Sequence, residues 1–384
     1  MIEIREKKDC CGCTACKNIC PVHAITMTAD EEGFLYPVVD LSVCIQCGRC
    51  DKICPVKHKK IHEMEVTTKV YAAYNKNKAL RLASSSGGIF ALLSGVVLSQ
   101  NGVVYGAAFD EEFRVCHRRA ACIEELKALQ GSKYVQSDLQ DCFLQIKEDL
   151  IHQKLVLFSG TSCQVAGLKA YLRKDYDNLI CVDLICKGVP SPKVWHLYRS
   201  LLVKNGQLKK FYFKDKTYGW DRFSIRFAVN DKEHIQIGLL NPYMQLFFRH
   251  LDLRPSCYAC QFKGFPRYSD LTLADCWGFQ EIAPELNDNQ GLSSVFIHSE
   301  KGANLWKKII SEICFKETTI SLATKSNPYA YQSAEYYEER EQFFKDLEES
   351  PFFQVLKKYG KIPKKEICHI YFSQFKRKIR KRKG

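Results

Sequence analysis

One spacing, written twice near the start of the chain, restricts its fold more than anything else in it. Cys10, Cys13, Cys16 and Cys20 are followed by Pro21, and Cys44, Cys47, Cys50 and Cys54 are followed by Pro55. Each run reads C-x2-C-x2-C-x3-C-P, and every member of the second lies 34 residues after its counterpart. Two-residue gaps wrap a very short chain around three corners of a polymetallic core. The proline then stops the turn and sends the fourth thiolate outward. A segment built this way folds around metal more than around an apolar interior.

Two-cluster bacterial ferredoxins use this run, each cluster taking three ligands from one copy and the fourth from the other. Cys10, Cys13, Cys16 and Cys54 are therefore assigned to one [4Fe-4S] cluster, and Cys44, Cys47, Cys50 and Cys20 to the second. Zinc tolerates C-x2-C pairs but does not call for the full duplicated run with both prolines. Cys11, between ligands, reads as a non-ligand thiol.

At 384 residues the chain is long enough for two or three domains, at about 150 residues each. Its 20 cysteines would suggest disulfides in a small secreted protein. The opening MIEIREKKDC has no apolar signal segment, so a reducing cytoplasm is expected. The longest apolar run, Ile89 to Leu98, is too short to span a bilayer. The net charge is +14, and the segment from Lys357 to Gly384 holds 12 Lys and Arg against one acid, Glu366. Charge confined to one end reads as a docking segment, and nucleic-acid binding is not expected. Ile367, Ile370, Tyr371, Phe375 and Ile379 recur there at helical spacing between basic residues. Such a helix suits peripheral contact with an anionic membrane. The alternative is a solvated tail or a helix packed on the body.

Residues 1–57 read as the ferredoxin unit and 58–68 as a polar linker. From Val70 the composition becomes globular. VYAAYN reads as a strand; SSSGG opens the helical run IFALLSGVVLSQ; GVVYGAAFD reads as a strand. A helix follows over Cys122 to Leu129, then a buried strand from Leu155 to Phe158, a helix beginning in GTSCQVAGLKAYLRK and the apolar strand Leu179 to Cys186. FYFKDK and FSIRFAV add β character. Alternating strands and helices predict an α/β or mixed α+β sheet domain. No G-x-G-x-x-G or Walker A sequence occurs, so a nicotinamide Rossmann domain or nucleotide hydrolase has no support.

Four further cysteines are specially placed. Cys163 lies at a strand-to-helix turn, Cys186 ends an apolar strand, and Cys257 and Cys260 form a C-x2-C pair. Together they can close a third [4Fe-4S] site. Taken singly, Cys163 and Cys186 read as small buried thiols, and the pair reads equally as a zinc site. Cys276, in LADCWG, is a fifth candidate. Ser85, Ser86, Gly87 and Gly88 at a helix start suit an anion, or an ordinary serine cap. GSKYVQSD, with Lys133, Tyr134, Gln136 and Ser137, reads on its own as a surface loop.

SSSGGIF, GSKYVQS, GTSCQVAGLKAYL, DLICKGVPSP, RPSCYACQFKGFPRYSD and LADCWG follow one another in that order. This series resembles the coenzyme F420 hydrogenase/dehydrogenase beta-subunit family, fused behind a two-cluster ferredoxin domain, over roughly residues 1–300. The resemblance implies an FAD-binding iron–sulfur flavoprotein that exchanges a hydride with a deazaflavin or comparable partner. It also implies that Cys163, Cys186, Cys257 and Cys260 hold the third cluster. Three departures from the family pattern stand out: Ser162 where a proline is usual, Lys187 after Cys186, and Cys276 where an aromatic is usual.

The expected class is thus α+β: a two-cluster bacterial ferredoxin-type domain (1–57), a linker (58–68), and a larger mixed α/β flavin- and iron–sulfur-binding domain (69–345). The larger domain is read in two parts, 69–154 and 155–315, with a basic amphipathic helical tail from 346 to 384. Ser85 to Gly88 are expected to cradle the FAD diphosphate. Lys133, Tyr134, Gln136 and Ser137 are expected against the flavin, where the Lys133 charge would stabilise the reduced anion. Coenzyme F420 is the candidate hydride partner, and a redox protein or low-potential carrier the electron partner. The competing expectation is a non-catalytic electron-transfer subunit serving a partner enzyme. The chain is similar to bacterial relatives associated with surface-polysaccharide synthesis, which a membrane-peripheral location would suit.

Overall fold

A computed structural model describes residues 1–59, 67–204 and 206–362. In the amino-terminal unit a short helix, Ala15–Ile19, carries Cys16, and a second, Arg49–Lys52, carries Cys50. Strands β1 (Ile25–Ala29) and β2 (Leu35–Val39) lie between them and pair antiparallel, with Ile25 opposite Val39. The pseudo-repeat is visible in the caps: Thr14 and Gly48, which precede the two helices, both adopt left-handed backbone (φ 58° and 71°).

The body is built on eleven further strands: β3 (Lys69–Asn75), β4 (Val103–Phe109), β5 (Val115–Ala120), β6 (Val156–Ser159), β7 (Leu179–Leu184), β8 (Leu208–Asp215), β9 (Ser224–Val229), β10 (Lys232–Ile237), β11 (Leu271–Asp275), β12 (Ser293–Ile297) and β13 (Ile313–Thr318). Eight of them form one sheet in the order β13-β3-β12-β11-β7-β6-β4-β5. The centre, β4-β6-β7-β11, is parallel, and the flanking pairs are antiparallel. Strands covered on both faces read as continuous apolar runs, as Val156–Phe158 and Leu179–Val182 do. The mixed α/β sheet expected from the alternating pattern is present. Because β3 sits between β12 and β13, the sheet interleaves residues from 69–154 and 155–315. Strands β8–β10 form a separate antiparallel sheet.

One core lies under the helix Ile89–Ser99 and joins Leu93, Val97, Leu157 and Val182 to the Tyr71–Trp306 stack. A second gathers Trp195, Phe211, Phe213 and Tyr243 with Phe343, Phe352, Val355 and Tyr359. The last four come from the helices Glu339–Glu349 and Phe352–Tyr359. The tail read from 346 therefore begins inside a helix, and residues 346–359 pack into the body. Their apolar residues alternate at helical spacing and close the aromatic core. The candidate amphipathic positions Ile367 to Ile379 lie outside the described residues, as does most of the 58–68 linker. Among the described residues no helix is long and apolar enough to cross a membrane.

The ferredoxin unit is fastened to the body by buried polar contacts. Arg340 donates to both carboxylate oxygens of Glu32, at 2.8 Å from Nη1, and the Nη2 contact is shorter. Ser191 donates to the Glu32 carbonyl. Gly33 (φ +86°) lies so close to Lys193 that a Cβ would fall 2.5 Å from the lysine Cβ, so both conformation and contact require glycine.

Candidate iron–sulfur centres

The thiols of the two runs regroup across the repeat as the spacing predicts. Cys20, Cys44, Cys47 and Cys50 line one depression of about 330 Å³, three from the second run and one from the first. Backbone donors already point at sulfur there: Ile2 N lies 3.1 Å from the Cys50 Sγ, and Ala24 N lies 3.3 Å from that of Cys20. In the other set, burial pushes the Cys16 thiol up to about 12, and the nearby Cys10 and Cys54 sulfurs add to the shift. Burial also raises Cys54, with Cys10 again contributing. Buried thiols that oppose one another's ionisation become favourable when a cation takes the protons' place. Cys13 completes this set from the body side, against Gly167, whose added Cβ would lie 2.6 Å from the Cys13 Cβ. The donor sets fit two clusters. Among the described residues no three His, Cys, Asp or Glu side chains gather tightly enough for a single metal ion.

Cys163, Cys186, Cys257 and Cys260 converge on one cavity of about 710 Å³, open solvent included. The fold explains why. β6 and β7 are adjacent parallel strands, and Cys163 and Cys186 follow their carboxyl ends, where ligand sites of open α/β sheets gather. Cys163 is the second residue of the helix Ser162–Leu172, whose start is braced by Thr161 N donating to Gln164 Oε1 at 2.9 Å. Cys257 ends the turn Pro255–Cys257 and Cys260 follows it. Val189 N points at the Cys257 Sγ from 3.4 Å. Burial pushes the Cys186 thiol up to about 12, with Lys263 pulling the other way and the Cys163 and Cys260 sulfurs pushing further. Burial raises Cys257 as well, with Cys186 next.

A fifth thiol lines this cavity, and it is Cys11. Cys276 packs instead among Ala72, Trp220, Ala283 and Leu292, so the candidacy of Cys276 as an extra ligand is corrected in favour of a small buried core thiol. Five cationic side chains also face the cavity: Lys8, Lys187, Arg254, Lys263 and Arg267. Sequence reasoning left these unassigned, although four lie inside or beside the quoted motifs. Two departures from the family pattern acquire partners here. Ser162 Oγ accepts from Arg267 Nη1 at 2.7 Å, a bond proline could not make. Lys187 Nζ donates to the Phe248 carbonyl at 3.1 Å and lies 5.1 Å from the Phe247 ring centre.

The two candidate anion segments meet: Ser132 donates to Ser85 Oγ from its N–H at 2.6 Å and from its hydroxyl at 2.9 Å. Gly88 (φ +81°) precedes the helix Ile89–Ser99. The Gly87 N–H is occupied by Ser293 Oγ at 2.9 Å, and a Cβ there would strike the Ala73 carbonyl. Lys133 Nζ donates to the Ala128 and Gln130 carbonyls, both at 2.9 Å, and burial lowers its pKa to about 7. Lys216, unassigned from sequence, donates to the Ser86 carbonyl at 2.6 Å. Burial, then neighbouring Lys214 and Arg81, bring it to about 7. Lys214 pairs with Asp275 beside the Trp220–Trp277 stack.

The remaining candidates face elsewhere. Tyr134 packs on Phe213 and Phe247. Ser137 Oγ lies 2.7 Å from His117 Nδ1. Gln136 lines the cysteine cavity and donates to the Cys11 carbonyl at 3.2 Å. Four consecutive residues thus run from Lys133 to the thiol cavity, and Lys133 and Gln136 are at most about 11 Å apart along the backbone.

The chain is 24% identical over 315 residues to a coenzyme F420-dependent sulfite reductase of Methanocaldococcus jannaschii, which covers 79% of this chain and 46% of that protein. It therefore spans about half the length of that curated relative. A chain of the F420-reducing [NiFe] hydrogenase complex from Methanosarcina barkeri is 18% identical, with 71% of this chain and 93% of that one covered and a TM-score of 0.47. Residues 9–58 match the 4Fe-4S dicluster domain, and residues 153–322 match the carboxy-terminal region of the coenzyme F420 hydrogenase/dehydrogenase beta subunit. The chain thus joins a segment similar to the 4Fe-4S dicluster domain to one similar to the carboxy-terminal region of the coenzyme F420 hydrogenase/dehydrogenase beta subunit.

Proposed function

We propose that the chain is a flavin-dependent iron–sulfur oxidoreductase that passes electrons between three [4Fe-4S] centres and a hydride carrier of the F420 type at FAD. The observation that carries this reading is the convergence of Cys163, Cys186, Cys257 and Cys260, distant in sequence, on one cavity against the Cys10–Cys11 loop. A bound flavin would supply the exchange between hydride and single electrons. The chain's own groups do the rest. The thiol sets would hold the three centres. Lys133 and Lys216, brought near neutrality by burial, would recover their protons against a diphosphate or a reduced anionic ring. Gln136 ties the segment that carries Lys133 to the Cys11 carbonyl.

Iron, sulfide and flavin per chain after strictly anaerobic purification test this. About 12 irons with one FAD are expected, four per centre. About 8 irons and no flavin would leave only the ferredoxin unit and remove the flavoenzyme reading. Flavin reduction on adding reduced F420 would then identify the hydride partner.

A further inference from the structure

Arg254 is fully buried, yet its guanidinium meets only neutral acceptors. It donates to the Cys10 carbonyl at 2.7 Å, to Gln136 Oε1 at 2.9 Å and to the Leu35 carbonyl at 3.0 Å. Among the described residues no carboxylate pairs with it. Cys10, Tyr36, Cys11 and Cys257 act on its charge, and it acts in turn on Cys163. Lys263 repeats the pattern: its Nζ donates to the carbonyls of Cys186 and Tyr329, and it acts on the thiols of Cys186 and Cys260. The other cavity cations differ. Arg267 has Asp183 at 3.3 Å, Lys8 has Glu6, and Lys187 faces Asp252. A buried cation without an anion is costly, so Arg254 awaits a counter-ion, and the half-buried Lys263 has no carboxylate partner among the described residues. The outer depression, by contrast, has a single charged side chain in its wall, Arg49, and Cys47 there is exposed.

We propose that Arg254 and Lys263 are the built-in counter-cations of the iron–sulfur centre in the cavity, that Arg254 is shared with the Cys10 set, and that together they make the cavity the electron sink of the chain. This rests on the reading of Cys163, Cys186, Cys257 and Cys260 as ligands. Each electron adds one negative charge to the centre that receives it, and adjacent cations lower the energy of that state. Electrons therefore enter at the Cys20, Cys44, Cys47 and Cys50 set, where Cys47 is exposed, from a one-electron low-potential carrier that is oxidised in the exchange. They move through the Cys10 set and collect beside Lys263. A bound flavin would pass two of them, with a proton, to an organic acceptor as a hydride equivalent. The chain runs inward, as a reductase.

A potentiometric titration followed by EPR on the anaerobic full-length holoprotein tests the order. A Cys163→Ser variant identifies the signal of the cavity centre. That centre is expected to be reduced first, at the least negative potential, and the outer one last. Lys263→Gln should move the cavity centre alone to more negative potential. Arg254→Gln should move the cavity and Cys10 centres together, and Arg254→Lys should restore both, which a merely structural role would not produce. Full iron content with the cavity centre reduced last, or with its potential unmoved by Lys263→Gln, overturns the proposal and leaves the ligand assignment standing. An iron content of about 8, unaffected by Cys163→Ser, would instead remove the assignment. Lys263 takes no part in docking the ferredoxin unit, so its variant decides even where Arg254→Gln loses iron.

Discussion

Cys11 and Cys163 line one cavity, and Gln136 Nε2 donates to the Cys11 carbonyl there at 3.2 Å. A residue between two candidate ligands of the ferredoxin unit thus shares a cavity with the first cysteine of the body site. Substitution separates ligand from neighbour. Cys163→Ser should cost about four of about twelve irons, whereas Cys11→Ser should keep all of them. Iron and sulfide analysis of the two anaerobic variants checks this, and loss of iron in Cys11→Ser would make Cys11 a ligand.

The Glu32–Arg340 pair carries much of the docking. Both side chains are nearly inaccessible, at 11% and 6% exposure. Removing one partner strands a buried charge, which typically costs about 3–5 kcal/mol. Glu32→Ala should therefore lower the denaturation midpoint strongly. The double variant Glu32→Ala with Arg340→Met should recover much of the loss. Additive effects of the two changes would show that the pair is not coupled.

What could be read in advance followed from range. The ferredoxin cysteines are ordered by spacing along the chain, because the metal core they surround is smaller than the segment. The strands Lys69–Asn75 and Leu179–Leu184 were legible because burial on both faces demands continuous apolar residues. The roles of Arg254, Lys263 and Arg267 were not, since their partners lie on loops that meet only after the sheet has formed. Lys214 and Lys216 looked like ordinary strand residues in FYFKDK, where alternation says which face a side chain takes but not what waits there. Gln136 and Ser137 were grouped by adjacency, and the backbone turns them to different neighbours. Cys276 shows the converse: a cysteine inside a telling motif that simply fills a small core.

Lys133 and Lys216 should make flavin binding depend on pH. Lys133 and Lys216 have pKa values lowered from 10.5 to about 7 in the folded chain. Below about pH 7 both carry charge and are ready for an anion. As pH rises above 7 they lose protons, and binding a diphosphate must then recover them. Affinity for FAD should therefore fall with rising pH, and binding should take up protons. Calorimetry at pH 8 in two buffers of different ionisation enthalpy measures that uptake directly. Lys133→Met should reduce it. Equal apparent enthalpies in the two buffers would exclude these lysines from the site.

Two truncations separate the packed end of the chain from its basic extension. Removing residues 346–384 deletes Phe352, Val355, Leu356 and Tyr359, all 9% exposed or less. It would also break the bond from Arg249 Nη1 to the Tyr359 carbonyl at 2.6 Å. Loss of even one such aromatic typically costs about 3–5 kcal/mol, so this variant should not fold stably. Removing only 366–384 spares that helix and should leave thermal unfolding unchanged. Sedimentation with vesicles containing anionic lipid then tests the basic segment by itself, since each Lys or Arg near such a surface contributes about 1 kcal/mol. Undiminished vesicle binding by the shorter truncation would remove the membrane role. Loss of binding, with the fold and iron content intact, would assign membrane contact to residues 366–384.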